Sequence, residues 1–398
     1  MLVPRFVPFP AVHYPADADL ALVTAPPYDV LSDADVDELA SLSQHNIVHV
    51  DVPRERDGAG RYDAAGDLLR RWIADGVMVR DDEPGFVIYR MAFVDAAGRE
   101  RTISGVLGAA EVAEYGEGGV LPHERITPKA STDRLDLTRA TRANMSPIWG
   151  LSLASGLSEL IAEPGDLLGE VTVDGVTHRV ERVTEQGRVD AIAETVGGDD
   201  ILIADGHHRY GVAQRYRNEV REATGDHDTP AEDTLMFVNE LVADQLSVEA
   251  IHRVYRDISR EALVTALGTG FVLSPAGQVT AATLAEMEAR GALCLVDRGG
   301  EGTWLTPKPG AFDGIRSLDG VWLEHLLDDS GANVAYQHGV AELRHLLAHD
   351  DSITAAVLIR PVSVAEIERT AREGVVMPPK STFFTPKLRT GLVVRPLD

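Results

Sequence analysis

The chain has 398 residues, 44% of them hydrophobic, and its 63 acidic against 37 basic side chains give a formal charge of −26. That length supplies two or three cores of ordinary domain size, and the apolar content is that of a globular rather than a disordered protein. The net charge repels nucleic-acid phosphates unless a local basic patch outweighs the global field, so a nonspecific nucleic-acid role is disfavoured from the outset. Acidic runs such as 33–38 and 81–83 read as solvated faces.

Residues 1–10 carry Pro4, Pro8 and Pro10 and no apolar signal core. No apolar stretch approaches the roughly 20 residues of a membrane span, so a cytoplasmic protein is expected. Pro26-Pro27-Tyr28-Asp29 predicts a rigid turn, and 32–42 has helical apolar spacing with Ser32 as N-cap. Residues 46–52 read as a strand. A helix is expected over 62–75, with Ala65, Leu68, Leu69, Trp72 and Ile73 on one face and Gly76 as its stop, followed by strands at 86–94 and 102–112. The tract 123–142 holds five cations, Arg125, Lys129, Arg134, Arg139 and Arg142, against three carboxylates, Glu124, Asp133 and Asp136. In so acidic a chain an anionic ligand is least opposed there, although a salt-bridged surface loop and helix would carry the same residues.

Residues 170–184 read as a hairpin turning at Asp174-Gly175, and 189–196 as a short helix ending in Gly197-Gly198. Helical spacing returns at 248–266, 281–290, 318–327 and 364–373, and 391–394 reads as a closing strand. The single cysteine, Cys294, lies in the apolar run 292–296, a buried strand by its composition, which excludes an intrachain disulfide or a cysteine-based zinc site. The fold class expected is mixed α/β (α+β). Three regions are expected: an N-terminal α/β domain (1–118), a phosphate-box region (119–245) and a C-terminal α/β domain (246–398) packing on the site.

The box is the densest chemical signal. Ile201-Leu-Ile-Ala204 is an apolar strand, Asp205-Gly206 breaks it, and helical spacing runs from Arg209 through Tyr210, Val212, Ala213 and Tyr216. A strand thus hands over to a helix N-terminus, where free N–H groups and the positive end of the helix dipole favour an anion, and Gly206 admits a phosphate close to the backbone. His207, His208 and Arg209 add donors, the guanidinium being suited to bidentate phosphate contact. Asp205 is placed to hold a divalent cation or to orient a histidine. The competing reading is a capped turn with structural histidines. Zinc on His207 and His208 is opposed by their adjacency and by the lack of a nearby Cys or His-x-x-x-His partner. Lys380-Ser381-Thr382 and Lys387 form another polar cluster in a proline-bracketed segment. Lysines beside hydroxyls can hold phosphate, yet a strand entering a sheet looks the same, and no P-loop spacing is present.

Five ordered motifs, Ala25-Pro-Pro-Tyr-Asp-Val30, Pro122-His-Glu124, Arg139-Ala-Thr-Arg-Ala-Asn-Met-Ser-Pro147, Ala204-Asp-Gly-His-His-Arg-Tyr210 and Met377-Pro-Pro-Lys-Ser-Thr-Phe-Phe-Thr-Pro-Lys387, resemble the family called domain of unknown function 1015 over nearly the whole chain. Asp205-Gly-His-His-Arg209 by itself resembles the box of the ParB and sulfiredoxin-like superfamily, especially its ADP-dependent free-serine kinases, which implies a ParB/sulfiredoxin-like core with additional α/β elements. In such kinases the box holds nucleotide phosphates and a glutamate deprotonates the serine hydroxyl. Carried over, Asp205 and His207 are catalytic, Asp205 is the metal ligand, and Gly206, His208 and Arg209 bind phosphate. Arg139, Arg142, Lys380, Ser381 and Lys387 are further candidate phosphate contacts, and Glu124 is inferred as the base, with Glu240 as the fallback nearer the box.

The expected activity is a small-molecule phosphotransferase using Mg²⁺ and a nucleotide or pyrophosphate donor, with a hydroxyl acceptor such as free serine. A small-molecule substrate, no membrane partner and a homo-oligomer are compatible with this. A phosphatase using water as acceptor is a close relative of that reading. The alternative is a nucleotide-binding switch or DNA-associated ParB-like protein without catalysis, against which stand the acidic composition and the lack of a helix-turn-helix with a basic face.

Overall fold

The computed structural model describes residues 4–95, 98–114, 119–122, 131–375, 377–378 and 380–398. It is a mixed α/β structure of two units. One consists of the chain up to Ser247 together with Glu368–Val375 and Pro386–Asp398; the other consists of Val248–Ile367 and the strip that ends at Thr385.

The first unit is organised by a nine-stranded mixed sheet. Its strands are β1 (Phe6–Val7), β2 (Phe86–Val94), β3 (Glu100–Glu111), β4 (Val120–Pro122), β5 (Ile148–Ser152), β6 (Asp166–Val173), β7 (Val176–Val183), β8 (Ile201–Asp205) and β9 (Asp233–Glu240). They lie in the order β4-β8-β5-β9-β3-β2-β7-β6, with β1 pairing β3. β8 runs parallel to β4 and antiparallel to β5, while β9 runs parallel to β5. The interior strands β8 and β9 are buried almost throughout, which is why each carries an unbroken run of apolar residues, 201–204 and 235–238, rather than an alternating pattern. Phe6, Phe86, Ile88, Ile148, Ile201, Ile203, Met236 and Val238 form one core with Val189, Ile192 and Val196 of a helix, Gln186–Val196. The β6–β7 hairpin turns at Asp174 (φ 51°) and Gly175 (φ 76°), the pair of left-handed residues that matches the twist of the strands.

Five longer helices belong to this unit: α1 (Asp33–Leu42), α2 (Arg61–Ala74), α3 (Ser131–Thr141), α4 (Gln186–Val196) and α5 (His207–Thr224). α1 opens with a reciprocal cap, in which Asp35 N donates to Ser32 Oγ at 3.2 Å and Ser32 N to Asp35 Oδ2 at 2.7 Å. α3 packs against both α2 and α5.

The second unit has a six-stranded antiparallel sheet. Its strands are β10 (His252–Arg256), β11 (Phe271–Gln278), β12 (Leu293–Val296), β13 (Glu301–Pro307), β14 (Asn333–Gln337) and β15 (Ile353–Leu358), in the order β11-β13-β12-β15-β10-β14. One core contains Leu263, Leu267, Leu323 and Leu327; a second contains Met287, Leu343 and Leu347. Cys294 on β12 is fully buried, and burial pushes its thiol up to about 11.

Three expectations are corrected. Residues 46–52 are not a strand: Val48–Asp51 is a helical turn, because the Asn46 side chain accepts from Val48 N at 3.1 Å and donates to Leu22 O at 2.8 Å. The helix expected over 248–266 begins only at Arg260, capped by Ser259, since His252–Arg256 pairs with a strand on each side and sheet pairing overrides local spacing. The closing strand is Arg395–Pro396, paired with Ala143–Asn144, and Val394 contributes a single bridge to Val12. Among the described residues no helix is long and apolar enough to cross a membrane.

Candidate functional site

Asp205 is the last residue of β8 and His207 the first of α5, so the box turns within a single residue. That residue, Gly206, is left-handed at φ 90°, and a Cβ there would stand 3.1 Å from both Cζ and Nε of Arg209. Glycine therefore does two things: it makes the turn without strain, and it lets the guanidinium fold back over the backbone. From there Arg209 Nη1 donates to the Pro147 carbonyl and Nη2 to Asp205 Oδ2 at 3.2 Å. Lys387, from the C-terminal segment of the same unit, brings Nζ to 3.4 Å from the same carboxylate oxygen.

Burial alone would raise the Asp205 carboxyl, but Lys387, Arg209 and His207 together outweigh it and hold it at about 2. Asp205 is accordingly an anion shared by two cations, with 28% of its side chain exposed against 11% for Arg209 and 19% for Lys387. Burial opposes the Arg209 charge, yet Asp205, Asp29, Tyr28 and Asp51 more than compensate and keep its pKa above the ordinary value.

Arg209 also borders a pocket lined by Tyr28, Asp51, Arg134, Asn144 and Ser146 among others. Buried Arg134 lies 4.1 Å over the Tyr28 ring, donates to Asp51 Oδ1 at 3.1 Å and reaches Asp133 Oδ2 at 2.9 Å. Burial pushes the Asp51 carboxyl up against the pull of Arg134 and Arg209. Sequence reasoning gave Tyr28, Asp29 and Asp51 no role. The Pro26-Pro27 turn was the available signal for the first two, and the misread strand at 46–52 hid the third.

The other nominated residues are dispersed. His207 is buried and His208 partly exposed, both in the first turn of α5. Arg139 joins α3 to α5: its Nε and Nη2 meet Glu219 at 2.8 and 2.5 Å, and its Nη1 meets Asp136 at 2.5 Å. Arg142, exposed and left-handed at φ 49°, follows α3 and accepts from Leu397 N at 2.8 Å. Lys380 and Ser381 belong to the second unit. There the Lys380 carbonyl accepts from Arg253 Nη1 at 3.1 Å, and Ser381 donates to Pro378 O at 2.7 Å beside a cavity shared with Arg253, Asp319 and Arg360. Glu124, with Arg125 and Lys129, lies outside the described residues. Glu240 accepts from Gly156 N at 3.2 Å and Ser158 N at 2.9 Å; burial would raise its carboxyl, but these amides outweigh it and lower it. Among the described residues no cluster of three or more His, Cys, Asp or Glu side chains is placed to hold a metal ion.

A family model described as "Protein of unknown function (DUF1015)" matches residues 6–321. Among solved structures the chain is similar to a free serine kinase in complex with AMP, at 13% identity and a TM-score of 0.37, over 73% of this chain and 92% of that one. It is similar to a conserved hypothetical protein from Pyrococcus furiosus at 11% identity and a TM-score of 0.36, over 69% of this chain and 92% of that one. A C-terminally truncated SbnI from Staphylococcus aureus matches at 14% identity and a TM-score of 0.37, over 73% of this chain and 87% of that one. No curated protein matches.

Proposed function

We propose that this chain, which belongs to the DUF1015 family of unknown function, is a small-molecule phosphotransferase that moves a phosphoryl group from a nucleotide or pyrophosphate donor to a hydroxyl acceptor such as free serine. The observation that carries the reading is the convergence of Arg209 and Lys387 on one Asp205 oxygen, at the N-terminus of an 18-residue helix. Two cations thus stand at one turn in a chain whose overall charge is −26. The first-turn N–H groups and the helix dipole add to them, so a phosphate meets both oriented donors and a favourable field.

Phosphoryl transfer asks a protein mainly for positioning and charge neutralisation. In this reading Arg209, braced by Pro147 O and Asp205, is the rigid fork for the donor phosphate, and His208 is a second donor on the same turn. The hydroxyl proton goes to a carboxylate. Glu124 is the candidate from sequence, and Asp29, exposed beside Tyr28 and near enough to Arg209 to act on its charge, is a second. With two cations already on Asp205, any Mg²⁺ is carried on the donor phosphates. The test is incubation with ATP, ADP or pyrophosphate and pooled hydroxyl metabolites, followed by mass spectrometry for a new phosphorylated product and calorimetry for donor binding. Absence of both product and donor binding overturns the proposal. Tight, salt-sensitive binding of duplex DNA would replace it with the ParB-like alternative.

A further inference from the structure

We infer that Asp205 is not a metal ligand but the anionic anchor of a cationic phosphate clamp, and that Lys387 belongs to that clamp, binding the donor's phosphates directly without a divalent ion between. This rests on the phosphotransferase reading above and specifies how its donor is held.

The argument begins with what a divalent ion requires. Mg²⁺ takes near-octahedral oxygen ligands at about 2.1 Å. At the box Asp205 is the carboxylate at the turn, and among the described residues no cluster of three or more acidic or histidine side chains is placed around it. Its Oδ2 already receives Arg209 Nη2 at 3.2 Å and Lys387 Nζ at 3.4 Å. A metal bonded to that oxygen would sit within about 5.5 Å of both nitrogens, and one on Oδ1 only about 2 Å farther. Repulsion between a dication and two monocations at that range is strong where side chains are largely withdrawn from water, because solvent and salt screen it poorly. The donor set therefore does not fit a metal at Asp205.

The same geometry suits direct contact with an anion. Arg209 is held at two points, Pro147 O and Asp205, and its guanidinium lies against Gly206, so it is fixed. Lys387 differs. Its contact with Asp205 is the longer one, and its charge stands on a flexible four-carbon stem. Its backbone, by contrast, is secured two residues on. Buried Arg389 donates to Thr24 Oγ1 at 2.5 Å and Thr24 O at 3.0 Å, and its N–H donates to Tyr89 Oη at 3.1 Å. A four-carbon stem on a secured backbone lets the ammonium reach from the Asp205 carboxylate toward a phosphate at the helix N-terminus without any backbone movement.

The test is calorimetry of pyrophosphate and ADP binding in EDTA and in Mg²⁺, with wild type, K387M and K387R, together with Mn²⁺ titration followed by electron paramagnetic resonance in the absence of nucleotide. Expected are pyrophosphate binding in EDTA, a loss of roughly 10- to 100-fold in K387M with most of it restored in K387R, and no Mn²⁺ bound by the protein alone. Shielding of Lys387 from amine acylation by pyrophosphate, read by peptide mass spectrometry on the wild-type protein, supplies the same answer should K387M fail to fold. Donor binding that requires Mg²⁺, or Mn²⁺ binding that D205N abolishes, would overturn the inference and leave the phosphate site standing. Wild type that binds neither pyrophosphate nor ADP in any condition would remove the phosphotransferase reading and this inference with it.

Discussion

Replacing Asp205 by Asn keeps the side chain's shape and removes the charge that Arg209 and Lys387 share. The carboxyl is held at about 2 against an ordinary 3.8. That difference corresponds to about 2 kcal/mol of folding stability contributed by the ionised form. Because the folded pKa is the lower one, the contribution is whole above about pH 4 and disappears as the pH falls from there toward 2. Urea denaturation of wild type and D205N across that range is the assay. At pH 6 the variant should be less stable by about 2 kcal/mol, and the gap should close as the pH falls below 4. Equal stability at pH 6 would show that Asp205 is not the common counter-ion. A gap that stays constant with pH would assign the effect to lost packing or hydrogen bonding rather than to charge.

Gly206→Ala should destabilise the protein by about 1–2 kcal/mol from the left-handed backbone alone, and should also weaken pyrophosphate binding by crowding the Arg209 guanidinium, 3.1 Å from the added Cβ; thermal melting and calorimetry on one sample read both. Arg209→Lys keeps the charge but cannot span Pro147 O and Asp205 together, so donor affinity should fall roughly 10- to 100-fold, and unchanged affinity would assign Arg209 to structure alone. Glu124→Gln and Asp29→Asn, compared side by side, should identify the base: the correct one lowers turnover by roughly 10²- to 10⁴-fold without changing the melting temperature, and wild-type turnover in both removes both from the mechanism.

The box was legible because two periodicities meet there. The unbroken apolar run 201–204 has no polar alternation, as an interior strand requires, and the spacing after Gly206 is helical; strand and helix stand on either side of that one glycine. The Ser32 cap was legible for the same reason, since the side chains that make it lie three positions apart. What could not be read is pairing at a distance. Lys387 stands 182 positions from Asp205, and a motif can nominate the lysine but not its partner. Arg139 looked available for phosphate until a glutamate 80 positions away was found on it. Lys380 and Ser381 share a motif with Lys387, yet the chain passes from one unit to the other between them. Local spacing also misassigned 46–52 and 248–256, where an asparagine side chain in one case and two partner strands in the other decide the conformation.

The acidity of the chain and the cationic character of its box are parts of one arrangement. Arg209 and Lys387 are largely withdrawn from water, and uncompensated charges in that position would be costly. One carboxylate shared between them lowers that cost without cancelling the charge, whereas a carboxylate for each would leave nothing for a phosphate to meet. Arg139 shows the fully compensated case: it is claimed by Glu219 and Asp136 and serves to join two helices. Arg134, with Asp51 and Asp133, is compensated in the same way and lines the pocket that Arg209 borders. At the box Arg209 and Lys387 meet on one carboxylate oxygen where a helix begins, with Asp29 and Asp51 acting on Arg209 besides. The negative field of the remaining surface repels a polyanionic ligand at long range and is weakened by salt, while the clamp acts at contact, where salt screens least. In the phosphotransferase reading proposed above, selection for a phosphate would therefore lie in the geometry of a few residues rather than in the charge of the whole.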